Sequence, residues 1–330
     1  MSARAVALLS GGLDSILAIR VLQQQGIETE AINFQTIFTC CKDTAARAAR
    51  DLGVRLTVLS QQDDYIDVIR APKHGYGKGA NPCVDCRIYM FRMAAKYADD
   101  IGAELIVSGE VAGQRPMSQK KRDLLLIERN SGLEGRLLRP LSAKLLPPTR
   151  AELEGRVDRE KLYGFSGRSR KGLIRLARQL GIEEIPSPST GCALTEPTFA
   201  PKVRDLIRLD SASQRWDFEL LRVGRHLRMR RDLKAVVGRR EQENAMLEAM
   251  YAAADSRATG MLRPNGFAGA TILLIGAIDD DALATAAALV LRYGRHEGSG
   301  EAEVVLSRPG EVDTLLAAYE QDEARALATL

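Results

Sequence analysis

Ser10-Gly11-Gly12-Leu13-Asp14-Ser15 follows an apolar run, Ala5 to Leu9, and precedes a helical pattern in which Ile16, Leu17, Ile19, Val21 and Leu22 fall on the buried side. The six residues therefore join a strand to a helix N-terminus. Two glycines let the backbone turn tightly and approach a ligand closely. The free N–H groups of the first helical turn point into such a loop, and the helix dipole favours an anion there. Ser10 and Ser15 add hydroxyl donors. This predicts a phosphate cradle, though not the Walker kind, which requires G-x-x-x-x-G-K-[ST].

Working outward, the first half reads as alternating strands and helices. Strand Ala5–Leu9 leads to helix Ile16–Gln25, strand Glu30–Phe34 to a helix over Asp43–Leu52, and strand Leu56–Leu59, after a loop, to helix Cys86–Ile101. Strand Leu105–Ser108 closes the series. A crossover helix returns the chain to the same edge, so the strands pair in parallel. With both faces covered, short apolar strands are expected. The fold class is a doubly wound parallel α/β sheet with a smaller C-terminal α+β domain, the boundary falling after residue 209. Ligands of such sheets bind at the carboxyl ends of strands, so the loops after Leu9, Phe34 and Ser108 are expected to share one site.

The chain has 330 residues, enough for two cores, and its 45% hydrophobic and 27% charged content is ordinary for a soluble globular protein. No apolar run approaches the ~20 residues that span a bilayer. Met1 to Leu9 runs straight into a strand, which is not the pattern of a signal peptide, and the expected compartment is the cytoplasm, with no membrane partner. The five cysteines are an odd number for a disulfide framework. Three histidines, His74, His226 and His296, leave little material for a His-rich zinc site or a Ser-His-Asp triad. Cysteine is the expected carrier of nucleophilic or metal chemistry, with adjacent Cys40 and Cys41 read as packing residues.

The Ser10–Ser15 stretch resembles the PP-loop, S-G-G-x-D-S, of the ATP-pyrophosphatase superfamily. The resemblance implies an adenine nucleotide alpha-hydrolase-like domain that binds ATP with Mg²⁺ and cleaves between the α- and β-phosphates, passing AMP to a substrate oxygen. It assigns ATP contacts to Ser10, Gly11, Gly12, Leu13, Asp14 and Ser15, with Asp14 also counted as catalytic. Ile32, Asn33 and Phe34 end the strand that packs on adenine in such proteins, Phe34 foremost. Val107-Ser108-Gly109-Glu110 and Gly113-Gln114-Arg115 resemble the third ATP-contacting loop. There Gly109 would allow close approach to ribose or phosphate, and Arg115 would neutralise pyrophosphate. Arg139-Pro140-Leu141-Ser142 resembles a stretch of the group's thiolation enzymes.

Asn81-Pro82-Cys83-Val84-Asp85-Cys86 precedes a helix, with Asp85 read as its N-cap. A thiol at a helix N-terminus is expected to have a lowered pKa. Cys192 follows a proline-broken stretch, Ile185 to Gly191, that cannot be helical. N-P-C-x-x-C with a downstream T-G-C resembles the tRNA 2-thiouridylases and related tRNA thiolation enzymes, with Cys86 and Cys192 on their two cysteine positions. Cys83 stands where many members carry aspartate. A [4Fe–4S] cluster usually takes four thiolates. Three ligands, Cys83, Cys86 and Cys192, would leave one iron open to sulfide. The expected reaction is adenylation of a uracil carbonyl of tRNA, then sulfur insertion, with sulfur from a cysteine desulfurase, a sulfur carrier or free sulfide. A persulfide on Cys192 resolved by Cys86 is the alternative within this class. A PP-loop amide-forming ligase, or a sulfur transferase acting on a small cofactor, is the alternative outside it. The resemblance spans roughly residues 4–210.

In the last third, Phe218–Met229 and Ala235–Gly238 read as a β-ribbon, followed by helix Glu241–Ala253, strand Thr271–Gly276, helix Asp281–Tyr293, strand Glu303–Ser307 and a final helix from Glu311. Arg222, Arg225, Arg228, Arg230, Arg231, Lys234, Arg239 and Arg240 face one acid, Asp232, in this stretch. Such a basic patch is an electrostatic footprint for a phosphate backbone. Val237-Gly238-Arg239 with Glu243-Asn244 and Leu247 is similar to the RNA-binding module of the NFACT family.

Overall fold

The structure, a computed structural model, describes residues 4–38, 42–188, 191–295, 300–318, 324 and 327–330. Cys40 and Cys41 lie outside the described residues. The chain divides into two compact units, Met1–Ala193 and Leu194–Leu330.

The first unit runs β1 (Arg4–Leu8), α1 (Leu13–Gln23), β2 (Glu28–Gln35), α2 (Lys42–Leu52), β3 (Leu56–Ser60), α3 (Tyr65–Arg70), α4 (Cys83–Asp100), β4 (Leu105–Ser108), α5 (Lys121–Asn130), β5 (Leu137–Leu138), α6 (Arg150–Leu153) and α7 (Lys171–Gln179). Its strands form one all-parallel sheet in the order β3-β2-β1-β4-β5. Successive residues alternate between two cores, as the period of a strand requires. Ala5 and Ala7 of β1 and Leu105 and Val107 of β4 face α1, α2 and α7, while Val6 and Ile106 face α4 and α5. The strand order reverses at β1, where β2 lies on one side and β4 on the other. A crevice for ligand opens at such a switch point.

Two helices of this unit escape the sequence reading. The stretch after strand Leu105–Ser108 is rich in Arg and Lys and yields only loop motifs from sequence, yet α5 buries Leu124 and Ile127 three residues apart, with Leu133 beyond it. Tyr65, Ile66 and Ile69 bury α3. The start of α4 also differs. Pro82 is its N-cap and its carbonyl accepts the Cys86 N–H at 2.8 Å. Asp85 is therefore in the first turn, where its carboxylate accepts the His74 N–H and faces His74 Nδ1, each at 2.9 Å.

The second unit runs α8 (Ala200–Leu209), α9 (Arg215–Leu220), β6 (Arg225–Arg230), β7 (Leu233–Val237), α10 (Glu241–Ala252), β8 (Gly260–Pro264), β9 (Ile272–Gly276), α11 (Asp280–Arg292), β10 (Glu301–Arg308) and β11 (Glu311–Ala318). Its sheet is antiparallel throughout, in the order β11-β10-β8-β9-β7-β6. Ile272 and Leu274 pack toward α11, and Leu273 packs with Trp216 and Leu247 on the other face. Helix α8, assigned to the first domain from sequence, lies in this unit, where Asp205 holds Arg228 of β6. Residues 218–220, read as the start of the ribbon, are the end of helix α9 instead. The segment from Glu311 is a strand, not a helix, because Pro309-Gly310 makes a tight turn with Gly310 at φ +82° and folds it back on β10.

No helix among the described residues is long and apolar enough to cross a membrane.

Candidate functional site

A cleft opens where β1, β2 and β4 end. It is lined by Ser10, Asp14 and Ser15 after β1, by Asn33 and Phe34 of β2, and by Ser108, Gly109 and Glu110 at the end of β4, with Gln114 and Arg115 beyond. The three loops expected to share one site do share it. Ser15 Oγ donates to the Gly12 carbonyl at 2.8 Å and accepts the Ser10 N–H at 3.3 Å, while the two serine hydroxyls lie 3.3 Å apart. The loop is thus closed on itself, with no side-chain cap on α1.

The six loop residues divide the work unequally. Gly11 has φ +78°, and a Cβ there would come within 2.6 Å of the Thr44 backbone, so the loop is seated against α2. Leu13 is buried in the core below the loop and anchors it. Gly109 lines the cleft as expected, but a further constraint acts on it. A Cβ there would meet the Asp14 carbonyl oxygen at 2.4 Å and Ser15 N at 2.6 Å, so glycine lets the end of β4 pack against the first turn of α1. The Asp14 carboxylate accepts a hydrogen bond from Gln114 Nε2 at 2.9 Å. Gln114 lies a hundred residues away in sequence, which is why loop spacing alone did not reveal the pair.

The second wall of the cleft comes from α4. Arg87 and Met90 line it beside Phe34. Arg87 Nε is 3.5 Å from buried Glu110, whose other oxygen accepts from Arg139 Nε at 3.0 Å. The Arg139-Pro140-Leu141-Ser142 stretch therefore acts from below: Arg139 is completely enclosed and also holds Glu128 at 2.8 Å and the Leu124 carbonyl at 3.1 Å.

One turn back on α4 lie the thiols. Tyr65 donates its hydroxyl to Cys86 Sγ at 3.1 Å, and Cys86 Sγ reaches Met90 Sδ at 3.9 Å. Phe34, which lines the cleft, Tyr65, which bonds Cys86, and Tyr89 form a ring cluster with centroids 5.1 to 6.4 Å apart. The Tyr65 phenol is pushed well above its usual pKa, by burial first and then by Cys86, Cys192 and Cys83. Of the three thiols, Cys86 is the one in contact with this hydroxyl. Cys86 is not the low-pKa thiol expected at a helix start. Burial pushes it up, outweighing the Tyr65 hydrogen bond and the Arg87 charge. Burial raises Cys83 likewise, against Arg87 and Arg115. Replacing Tyr65 with phenylalanine removes a donor that favours the Cys86 thiolate. Its pKa is then expected to rise further, moving the pH profile of iodoacetamide alkylation at Cys86 to higher pH; an unmoved profile contradicts the role.

No three His, Cys, Asp or Glu side chains among the described residues are close enough to hold a single metal ion. A cluster of several irons, each taking one thiolate, asks for wider spacing than a mononuclear site. Cys83 and Cys86, in the first turn of α4, supply two thiols of the kind such a group takes.

The basic ribbon of the second unit is less open than its sequence implies. Arg228 forks onto Asp205, with Nη2 at 2.5 Å, Arg230 holds Asp279 at 2.5 Å, and Arg239 holds Glu243 at 2.5 Å. Arg225 lies over the Tyr293 ring at 4.8 Å. Arg222, Arg231 and Arg240 are exposed. Lys234 is buried in the sheet and cannot present its charge to an RNA strand; burial brings its pKa down to about 8, aided by Arg228. A lysine depressed in the fold keeps its proton longer in the unfolded chain, so stability rises with pH between the two values. Between pH 8 and 10.5 the rise is expected to reach about 3 kcal/mol at ~1.4 kcal/mol per unit, and to vanish in Lys234→Met. Urea unfolding at the two pH values checks it.

Residues 1–144 match the family model "Thiamine biosynthesis protein (ThiI)", and residues 224–326 match "NFACT protein RNA binding domain". Among curated relatives, the tRNA-specific 2-thiouridylase MnmA of Methylobacterium nodulans is 30% identical over 138 residues, and that of Trichlorobacter lovleyi 33% over 119. The first unit is similar to the PP-loop tRNA thiolation enzymes. The likeness covers 37% and 33% of this chain, and the chain spans 36% and 33% of those relatives, about a third of their length. A crystal structure of a 4-thiouridine synthetase–RNA complex with bound ATP aligns with TM-score 0.33 and 22% identity, covering 55% of this chain and 52% of that one. Tyr65, Arg87 and Met90 were not singled out from sequence, and Glu110 was read only as part of the loop after β4. The spacing of Arg87 from Cys83 and of Met90 from Cys86, four residues each along one helix, is the signal that would have found two of them.

Proposed function

We propose that this chain is an ATP-dependent tRNA uridine thiolation enzyme. The observation that carries the reading is the run of α4, which sets Cys83 and Cys86 in its first turn and sends Arg87 and Met90, one turn on, into the wall of the phosphate-loop cleft. One rigid element thus links a thiol site to a nucleotide site.

In this reading, N–H groups of the Ser10–Ser15 loop and the hydroxyls of Ser10 and Ser15 hold the phosphates of ATP. Asp14, fixed by Gln114, carries the accompanying Mg²⁺. Phe34 packs on the base, and Arg115 and Arg87 offset phosphate charge. The uracil carbonyl oxygen attacks the α-phosphorus and pyrophosphate leaves. Sulfur then attacks the activated carbon, the C–O bond breaks, and AMP departs with the oxygen. Arg87, between thiols and cleft, favours both the anionic sulfur and the departing phosphate.

Cys83, Cys86 and Cys192 would hold a [4Fe–4S] cluster, which when bound supplies an iron open to sulfide. The hydrogen bond from Tyr65 to Cys86 favours the Cys86 thiolate, which supports a second route, a persulfide relay. There the terminal sulfur of a Cys192 persulfide joins the uracil carbon, Cys86 takes the remaining sulfur in a disulfide, and an external dithiol reductant resets the pair. Purification without oxygen separates them: about four irons per chain supports the cluster, and an iron-free, active protein supports the relay.

The whole reading is tested by incubating the protein with unmodified tRNA, Mg-ATP and a sulfide source, followed by nucleoside mass spectrometry. A thiolated uridine formed together with AMP is expected. AMP release with no thiolated nucleoside would sink it in favour of a ligase or a small-molecule sulfur transferase.

A further inference from the structure

The second unit carries a groove of its own, of about 610 Å³, between the start of α10, the β8–β9 connection and the end of α11. That volume lies within the roughly 300–1,000 Å³ of sites that enclose small ligands. Its floor is fixed in advance: Asn244 accepts the Thr271 N–H and donates to the Gly269 carbonyl, each at 3.0 Å.

The chemistry of the walls is that of a nucleotide site. Arg240, Arg263 and Arg295 line it, and Arg263 Nε is buried without a hydrogen-bond partner among the described residues. A buried guanidinium donor left open calls for an anionic acceptor. Phe267 and Tyr293 supply aromatic surface. The Phe267 ring rests on Gly294, where a Cβ would come within 2.8 Å of it. The Tyr293 ring is already covered by the guanidiniums of Arg225 and Arg292, at 4.8 and 5.4 Å, which leaves Phe267 as the stacking surface. Of the acids in the wall, Glu248 already accepts from Thr271 Oγ1 at 3.1 Å.

We propose that this groove takes one unpaired nucleotide of an RNA strand, its base against Phe267 and its phosphates on Arg240, Arg263 and Arg295. Aromatic stacking beside basic side chains is how single strands are held, and it is unavailable to paired bases. The inference rests on the reading of the chain as an RNA-binding protein, and it gives the second unit a single-strand site separate from the exposed ribbon arginines.

The full chain is titrated against a short fluorescein-labelled single-stranded RNA, and against the same strand annealed to its complement, by fluorescence anisotropy without ATP or sulfide. The single strand is expected to bind about tenfold tighter, and Phe267→Ala to weaken it by about tenfold. Arg263→Gln is expected to lower the slope of log K against log salt by about 0.7. Arg240→Ala, at an exposed position, gives the same direction without threatening the fold. Equal affinity for duplex and single strand, or groove variants that bind like wild type, overturns the site while leaving the thiolation reading in place. Competition by free uridine monophosphate as effective as the RNA itself also overturns it, in favour of a mononucleotide site. Weakened binding in the groove variants of a protein that forms no thiolated nucleoside supports the groove and sinks only the thiolation reading.

Discussion

Replacing Cys86 with serine is expected to abolish formation of thiolated uridine, by on the order of 10³-fold or more, the scale of losing a residue that acts in the chemical step. ATP-dependent AMP formation should survive within a few-fold. The asymmetry follows from what Cys86 touches. Its sulfur meets Tyr65 and Met90, whereas the phosphate loop is closed by Ser10, Gly12 and Ser15 among themselves. A serine hydroxyl still fits beside the phenol, so α4 keeps its place and Arg87 keeps its contact with Glu110. What is lost is the thiolate, the form that attacks and ligates. Single-turnover assays that follow AMP and thiolated nucleoside together decide the matter. Parallel loss of both products would mean that Cys86 supports the nucleotide cleft rather than the sulfur step.

Much of this site is legible in the chain because its parts are local. A glycine-rich turn between an apolar strand and an amphipathic helix can be read from adjacent residues, as can the strand–helix alternation that makes the sheet parallel. The end-of-strand rule then brings Phe34 and Gly109 to the loop without further information. The pairs that tune the site are not local. Gln114 on Asp14, Tyr65 on Cys86 and Arg139 on Glu110 join residues 100, 21 and 29 positions apart. No spacing rule predicts them. The thiol pKa was misjudged for a related reason. A helix N-terminus can be seen in a sequence, but the burial that outweighs it cannot.

The second unit shows the same limit for charge. Eight basic residues in one stretch look like an open patch, yet Asp205, Glu243 and Asp279, from three different helices or their caps, each take one of them. Lys234 alternates inward on a strand whose every residue is buried. Antiparallel pairing also hid β8 and turned the expected last helix into β11, since apolar residues near a Pro-Gly turn suit either element until the hairpin partner is known.

The largest loss of stability is expected at Arg139. Its guanidinium is enclosed, and it is shared between Glu110, itself almost fully buried, and Glu128, with the Leu124 carbonyl as a third acceptor. Truncation to alanine leaves two carboxylates facing a hole that water reaches poorly. Removing one partner of such a set costs about 3–5 kcal/mol, because the remaining charge is buried without compensation. Lysine does not rescue it, since one ammonium cannot reproduce the fork that reaches both acids and the carbonyl. Combining Arg139→Met with Glu110→Gln and Glu128→Gln should recover most of the loss by removing the orphaned charges as well. The defect should also reach the cleft, for Glu110 is the group that holds Arg87 at its wall. Urea unfolding of Arg139→Ala, Arg139→Lys and the triple variant, with ATP binding measured on each, tests both statements. A loss below about 1 kcal/mol in Arg139→Ala would place the cluster with surface ion pairs in worth and show that the R-P-L-S stretch does not support the cleft.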